Sequence, residues 1–178
     1  IAAYFNKLTK TKFPEKITIG LKQAEDLRYG ENPHQESAYY KEAFQVPGSI
    51  SSGRQIHGKQ VSFNNLNDAN GALDLLKEFQ EPTVVAVKHT NPSGIGSGQT
   101  LIEAYRKAYE CDKDSIFGGI IAANREIDLE VAKMINSIFI EIVLAPSFTS
   151  EALELLTQKK NIRLIEIDEI DKNDYKSL

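Results

Sequence analysis

From residue 65 onward the chain alternates between two hydrophobic rhythms. Over residues 65–80, Leu66, Ala69, Leu73, Leu76 and Phe79 recur at three- and four-residue spacings, which predicts an amphipathic helix. The run PTVVAVKH (82–89) has no such period and no alternation, so it predicts a strand buried on both faces. The pair of rhythms then repeats. Residues 100–112 read as a helix with Leu101, Ala104, Tyr105 and Ala108 on one face, and SIFGGIIAA (115–123) as a strand. Residues 127–139 read as a helix, EIVLAPS (141–147) as a strand, residues 150–160 as a helix capped by Ser150, and IRLIEID (162–168) as a last strand. Apolar strands separated by helices of this length predict an α/β layered fold with right-handed crossovers covering both faces of the sheet.

The first third is patterned differently. Ile17, Ile19 and Leu21 alternate, and Gly30 and Pro33 break the polar stretch after them, which predicts strand, polar loop, strand. GSISSGRQIHGKQVSF (48–63) is rich in Gly and Ser and reads as a loop with one short strand. The opening IAAYFNKLTKT reads as the end of a helix, and the first residue is Ile1, so a piece of a longer protein is expected.

Bulk properties narrow the field. A chain of 178 residues, 41% apolar and 26% charged, has the size and balance of one globular domain. Its formal charge of -4 argues against a broad nucleic-acid-binding face but leaves room for a small cationic pocket. No apolar run approaches the ~20 residues that span a bilayer. Cys111 is the single cysteine, which excludes an intrachain disulfide and a multi-thiolate metal site and fits a reducing cytoplasm.

The candidate chemistry begins at VVAVKHTNPSGIGSGQT (84–100). Its glycines match neither phosphate signature: Lys88 precedes them rather than following them, and Gly94, Gly96 and Gly98 give G-x-G-x-G. A plain flexible connection explains them as well as a ligand loop does. Lys88 and His89 say more, because neighbours on a strand point to opposite faces and one of them would enter a helix-covered layer. If the strand ends before Pro92, both groups can turn into one cleft. The alternative is a Lys reaching solvent beside a structural His. Functional groups in such sheets gather where strands end, which also singles out Gly118-Gly119 and Ala145-Pro146. In LRYGENPHQES, Arg28 offers a fork for phosphate or carboxylate and Tyr29 an aromatic surface. His34 and Glu36 form an H-x-E, half of a zinc deaminase signature, but one cysteine cannot complete the other half.

LRYGENPHQ, FNNLNDANGAL, AVKHTNPSGIG, SIFGGIIAANREID and EIVLAPSFTSEALELL together resemble, in order and through nearly the whole chain, the bifunctional purine-biosynthesis enzymes that combine AICAR transformylase with IMP cyclohydrolase. The resemblance implies that residues 1–12 are the tail of, or linker from, a cyclohydrolase domain. Residues 13–178 would be the first of two halves of the transformylase region, with a three-layer α/β/α cytidine-deaminase-like fold and a mixed sheet covered by helices. It implies formyl transfer from the co-substrate 10-formyltetrahydrofolate to the 5-amino group of AICAR, giving FAICAR, without a metal. His89 then matches the proton acceptor and Lys88 the group that stabilises the transition state. Arg28, Tyr29, Asn65, Gly118 and Glu141 match substrate-binding positions, with Glu141 standing where some members have Asp. Pro92 and the following glycines would shape the substrate loop, and His34 would be structural or lie behind the pocket. The resemblance further implies a cytoplasmic homodimer with active sites at the dimer interface, no nucleic-acid or membrane partner, and a fragment inactive by itself. A non-catalytic nucleotide-phosphate-binding module, with His89 structural, is the competing reading.

Overall fold

The computed structural model describes Tyr4 and residues 19–42 and 47–170; the expectations for the rest of the opening helix and for Ile17 lie outside the described residues. In chain order the elements are β1 (Leu21–Asp26), β2 (Ala38–Glu42), β3 (Arg54–His57), α1 (Phe63–Leu76), β4 (Thr83–Lys88) and β5 (Asn91–Ser97). They continue with α2 (Leu101–Cys111), β6 (Ile120–Ala123), α3 (Leu129–Asn136), β7 (Ile142–Ala145), α4 (Ser150–Leu156) and β8 (Arg163–Glu166). β1 and β2 form an antiparallel ribbon, and the other six strands form one sheet in the order β3-β8-β7-β6-β4-β5. β6, β7 and β8 run parallel, while β4 is antiparallel to both β5 and β6, and β3 to β8. The sheet is therefore mixed.

Both faces of the sheet's centre are covered, which is why β4, β6 and β7 read as unbroken apolar runs. Val85 and Val87 of β4 pack with Ala69, Leu73 and Leu76 of α1 on one side. Val84 and Ala86 face the opposite layer, with Ala104 and Ala108 of α2, Val131 and Ile135 of α3, and Ala152 and Leu156 of α4. β7 and β8 divide in the same way: Val143 and Leu164 belong to the second layer, Leu144 and Ile165 to the first. The result is a three-layer α/β/α fold.

Three local readings are corrected. The stretch from Asn91 to Ser97 is a strand, not a glycine loop, because Gly94 and Gly96 let α2 lie directly on the backbone of β5. A Cβ at Gly94 would overlap the carbonyl oxygen of Ala108, and one at Gly96 that of Ala104. Glycine's usual depletion in strands hides this use. Second, Thr149 rather than Ser150 caps α4, its side chain accepting from the N–H of Ala152 at 3.3 Å. Third, the connection from β4 is not a crossover but a two-residue hairpin, with Lys88 opposite Asn91.

One buried polar side chain ties the start of β4 to the end of β6. Asn124 Oδ1 accepts from the N–H of Thr83 at 2.8 Å, and its Nδ2 donates to the carbonyls of Glu81 at 2.8 Å and Phe79 at 3.3 Å. Asn124→Ala strands all three backbone groups and is expected to cost about 2 kcal/mol, read as a lower urea midpoint with an unchanged slope.

Candidate active site

The antiparallel placement of β4 decides where the site falls. Since β4 runs against β6, its C-terminal residue Lys88 lies at the same sheet edge as the N-terminal ends of β6, β7 and β8. That edge carries Lys88, His89, Gly118, Glu141 and Arg163. Ala145-Pro146, also singled out as a strand end, lies at the far end of β7 and so at the opposite edge.

α1 begins at this edge. Ser62 caps it by accepting from the N–H of Asn65 at 3.3 Å, and the Asn65 carboxamide oxygen accepts in return from the N–H of Ser62 at 3.2 Å. Locked by this reciprocal box, Asn65 points its Nδ2 to Glu141 Oε2 at 3.0 Å. Glu141 is held from its backbone as well: its N–H donates to the carbonyl of Gly119 at 3.0 Å, and its own carbonyl accepts from the N–H of Arg163 at 2.9 Å. The segment before the cap reaches the RYG loop through Arg28 N–H to the Val61 carbonyl (3.1 Å) and Phe63 N–H to the Tyr29 carbonyl (3.1 Å).

These bonds bring four of the named residues, Arg28, Tyr29, Asn65 and Glu141, into the wall of one cleft of about 160 Å³. Lys59, Phe139, Asn161 and Arg163 complete the wall. Arg163 carries no sequence motif, yet it is the central tie. Its guanidinium donates from Nε to the Lys59 carbonyl at 3.1 Å and from Nη2 to the Gln60 carbonyl at 3.1 Å, and its Nη1 lies 4.0 Å from Glu141 Oε2. Its side chain is only 7% exposed, and burial lowers its pKa, while the Glu141 carboxylate acts in the other direction and the Arg28 cation adds to the lowering. The signal that could have found it is a cation at the start of an apolar strand in NIRLIEID, a position where an unpaired charge is costly.

Lys88 and His89 stand beside this cleft rather than in its wall. The Lys88 ammonium donates to the carbonyl of Phe117 at 2.9 Å. The Phe117 ring packs on Phe139 with centroids 5.5 Å apart, and Gly118, at φ 72, donates its N–H to the Phe139 carbonyl at 2.7 Å. Lys88 is thus linked to the cleft through Phe117, whose ring packs on the wall residue Phe139. His89 is exposed at the hairpin tip, with Thr90 beside it, and both have left-handed φ, 53 and 59. The glycines expected to shape the substrate loop instead face α2, and His34 is exposed on an open cleft that shares only Arg28 with the first. Among the described residues no group of three His, Cys, Asp or Glu side chains is placed to hold a metal. No described helix is long and apolar enough to cross a membrane.

The edge therefore sets a cleft lined by Arg28, Lys59 and Arg163, with a fixed acid and amide, beside a Lys-His pair on a left-handed turn. The model of the AICARFT/IMPCHase bienzyme family matches residues 1–178, and the chain belongs to that family. It is 57% identical over 171 residues to the bifunctional purine biosynthesis protein PurH of Ruminiclostridium cellulolyticum, covering 96% of this chain and 33% of the relative. Against PurH of Bacillus subtilis the identity is 51% over 168 residues, covering 94% and 33%. The chain spans about a third of the length of the curated relatives it matches. Among solved structures, the dCMP deaminase of cyanophage S-TIM5 aligns with a TM-score of 0.42 at 14% identity, covering 56% of this chain and 94% of that one.

Proposed function

We propose that this chain is the first part of an AICAR transformylase region, and that its β4-β6-β7-β8 edge binds AICAR and carries the groups for formyl transfer from 10-formyltetrahydrofolate. The observation that carries the proposal is the convergence of the Lys88-His89 turn with the Asn65-Glu141-Arg163 cluster at one sheet edge. Arg28 supplies a guanidinium for the nucleotide phosphate, and the Glu141 carboxylate and Asn65 amide suit the polar groups of the base. In the transfer, the 5-amino nitrogen bonds to the formyl carbon and gives up its proton, and His89 accepts that proton. An imidazole is the side chain whose proton exchanges near neutral pH. The formyl oxygen takes up negative charge as this bond forms, and the Lys88 cation offsets it. The tetrahedral carbon then expels the folate nitrogen, which takes up the proton held on the His89 imidazolium, and the formyl group stays on AICAR while His89 returns to its neutral form. The full-length protein in this reading also has IMP cyclohydrolase activity and works as a cytoplasmic homodimer.

The roles separate kinetically. In the full-length protein, Lys88→Met is expected to lower kcat by about 10²–10³-fold with little change in the KM for AICAR, as for removal of a transition-state contact. Glu141→Ala is expected to raise that KM about tenfold or more while kcat falls far less. Both variants moving the same parameter would contradict this division.

A further inference from the structure

Among the described residues no hydrogen bond reaches the His89 imidazole, so the backbone of the turn sets where the ring stands. That turn is unusual. Lys88 pairs with Asn91 across a two-residue connection, and both central residues, His89 and Thr90, have positive φ (53 and 59). Tight hairpins of this kind normally use Asn-Gly, since left-handed backbone is disfavoured for residues with a Cβ and most of all for a β-branched one such as Thr.

The side chain that meets this turn comes from α1. Asp68 Oδ1 accepts from the N–H of Thr90 at 2.8 Å and Oδ2 from the N–H of His89 at 3.3 Å, one oxygen to each amide. The carbonyl between those amides is also engaged, accepting from Thr90 Oγ1 at 2.7 Å and from Asn91 Nδ2 at 2.8 Å. Asp68 lies three residues after Asn65, so neighbouring positions on one helix face hold the turn and Glu141 alike.

We propose that Asp68 is a positioning residue: its carboxylate holds the His89-Thr90 turn in its left-handed form and thereby fixes the imidazole relative to the cleft. This rests on the reading of His89 as the proton acceptor. A carboxylate presents an oxygen to each amide, whereas a carboxamide in the same pose would turn its NH2 towards one of the two N–H groups. The acceptor need not touch substrate, but a misaimed base loses rate steeply.

The test is made in the full-length protein with Asp68→Asn, Asp68→Ala and Asp68→Ala/Thr90→Gly, measuring kcat, AICAR affinity, thermal midpoint and amide hydrogen exchange over the turn. Asp68→Asn is expected to lower kcat at least tenfold with AICAR affinity within threefold, and to speed exchange at His89 and Thr90. Asp68→Ala is expected to lose more, and Thr90→Gly, which removes the penalty on left-handed backbone, to recover part of that loss. Wild-type kcat in Asp68→Asn, a loss that tracks only the unfolded fraction, or a loss that Thr90→Gly leaves untouched overturns the role. His89→Ala is assayed alongside. If that variant keeps its rate, the proton-acceptor reading fails, and unchanged exchange over the turn would separately overturn the hold by Asp68.

Discussion

His89→Ala in the full-length protein is expected to abolish measurable formyl transfer, a fall of about 10²–10⁴-fold in kcat, while AICAR affinity stays within about tenfold. The asymmetry follows from position. His89 is at the exposed tip of the β4-β5 hairpin, outside the cleft wall formed by Arg28, Tyr29, Asn65 and Glu141. Removing its ring takes away no wall contact but takes away the group that would accept the amine's proton. Stopped-assay rates and calorimetric AICAR binding on the same preparation check both halves. Intact transfer with lost binding would favour the nucleotide-phosphate module instead.

Gly96→Ala is expected to lower stability by about 3 kcal/mol, near the upper end for an overpacked core position. In a domain of this size that corresponds to a fall of roughly 6–12 °C in Tm. The new methyl has nowhere to go: besides the Ala104 carbonyl it would sit 2.5 Å from the Ala108 nitrogen and 2.7 Å from Lys107 Cβ. Relief would require lifting α2 off β5. Gly71→Ala gives the opposite sign. Gly71 lies inside α1, and a methyl there would come no closer than 3.9 Å to a neighbour, the Thr90 carbonyl. It is expected to gain about 0.5–1 kcal/mol from helix propensity. Differential scanning calorimetry on both variants reads the contrast, and a Gly96→Ala midpoint within a degree of wild type would refute the close packing of β5 on α2.

The elements after residue 65 were legible because the physics that forms them is local. Alternate residues of β4 enter different cores, so no polar position interrupts the run, and α1 shows its buried stripe of Ala69, Leu73 and Leu76 directly. β5 was not legible. Its Pro92, Gly94 and Gly96 read as turn residues, and only the approach of α2 explains them. Strand direction was not legible either, since nothing within PTVVAVKH says which neighbour it will pair with. That one unknown left open which of the strand ends share an edge with Lys88 and which, like Ala145-Pro146, do not.

The candidate site divides along the same line. The residues of the cleft that the sequence named, Arg28, Tyr29, Asn65 and Glu141, were carried by long motifs resembling a known family. The residues that hold them were not. Arg163 acts on the carbonyl of Lys59 from 104 positions away, and Asp68 on the amide of Thr90 from 22 away. Support of this kind has no local pattern and becomes visible only when the chain is folded.

One sheet edge, in this reading, both binds AICAR and presents His89 to it. A crystal structure of the full-length protein with AICAR tests that most directly. The nucleotide is expected in the cleft between Arg28 and Glu141, with its 5-amino nitrogen within hydrogen-bond distance of the His89 imidazole; AICAR bound at another edge, or bound here with the amine turned away from His89, would contradict it.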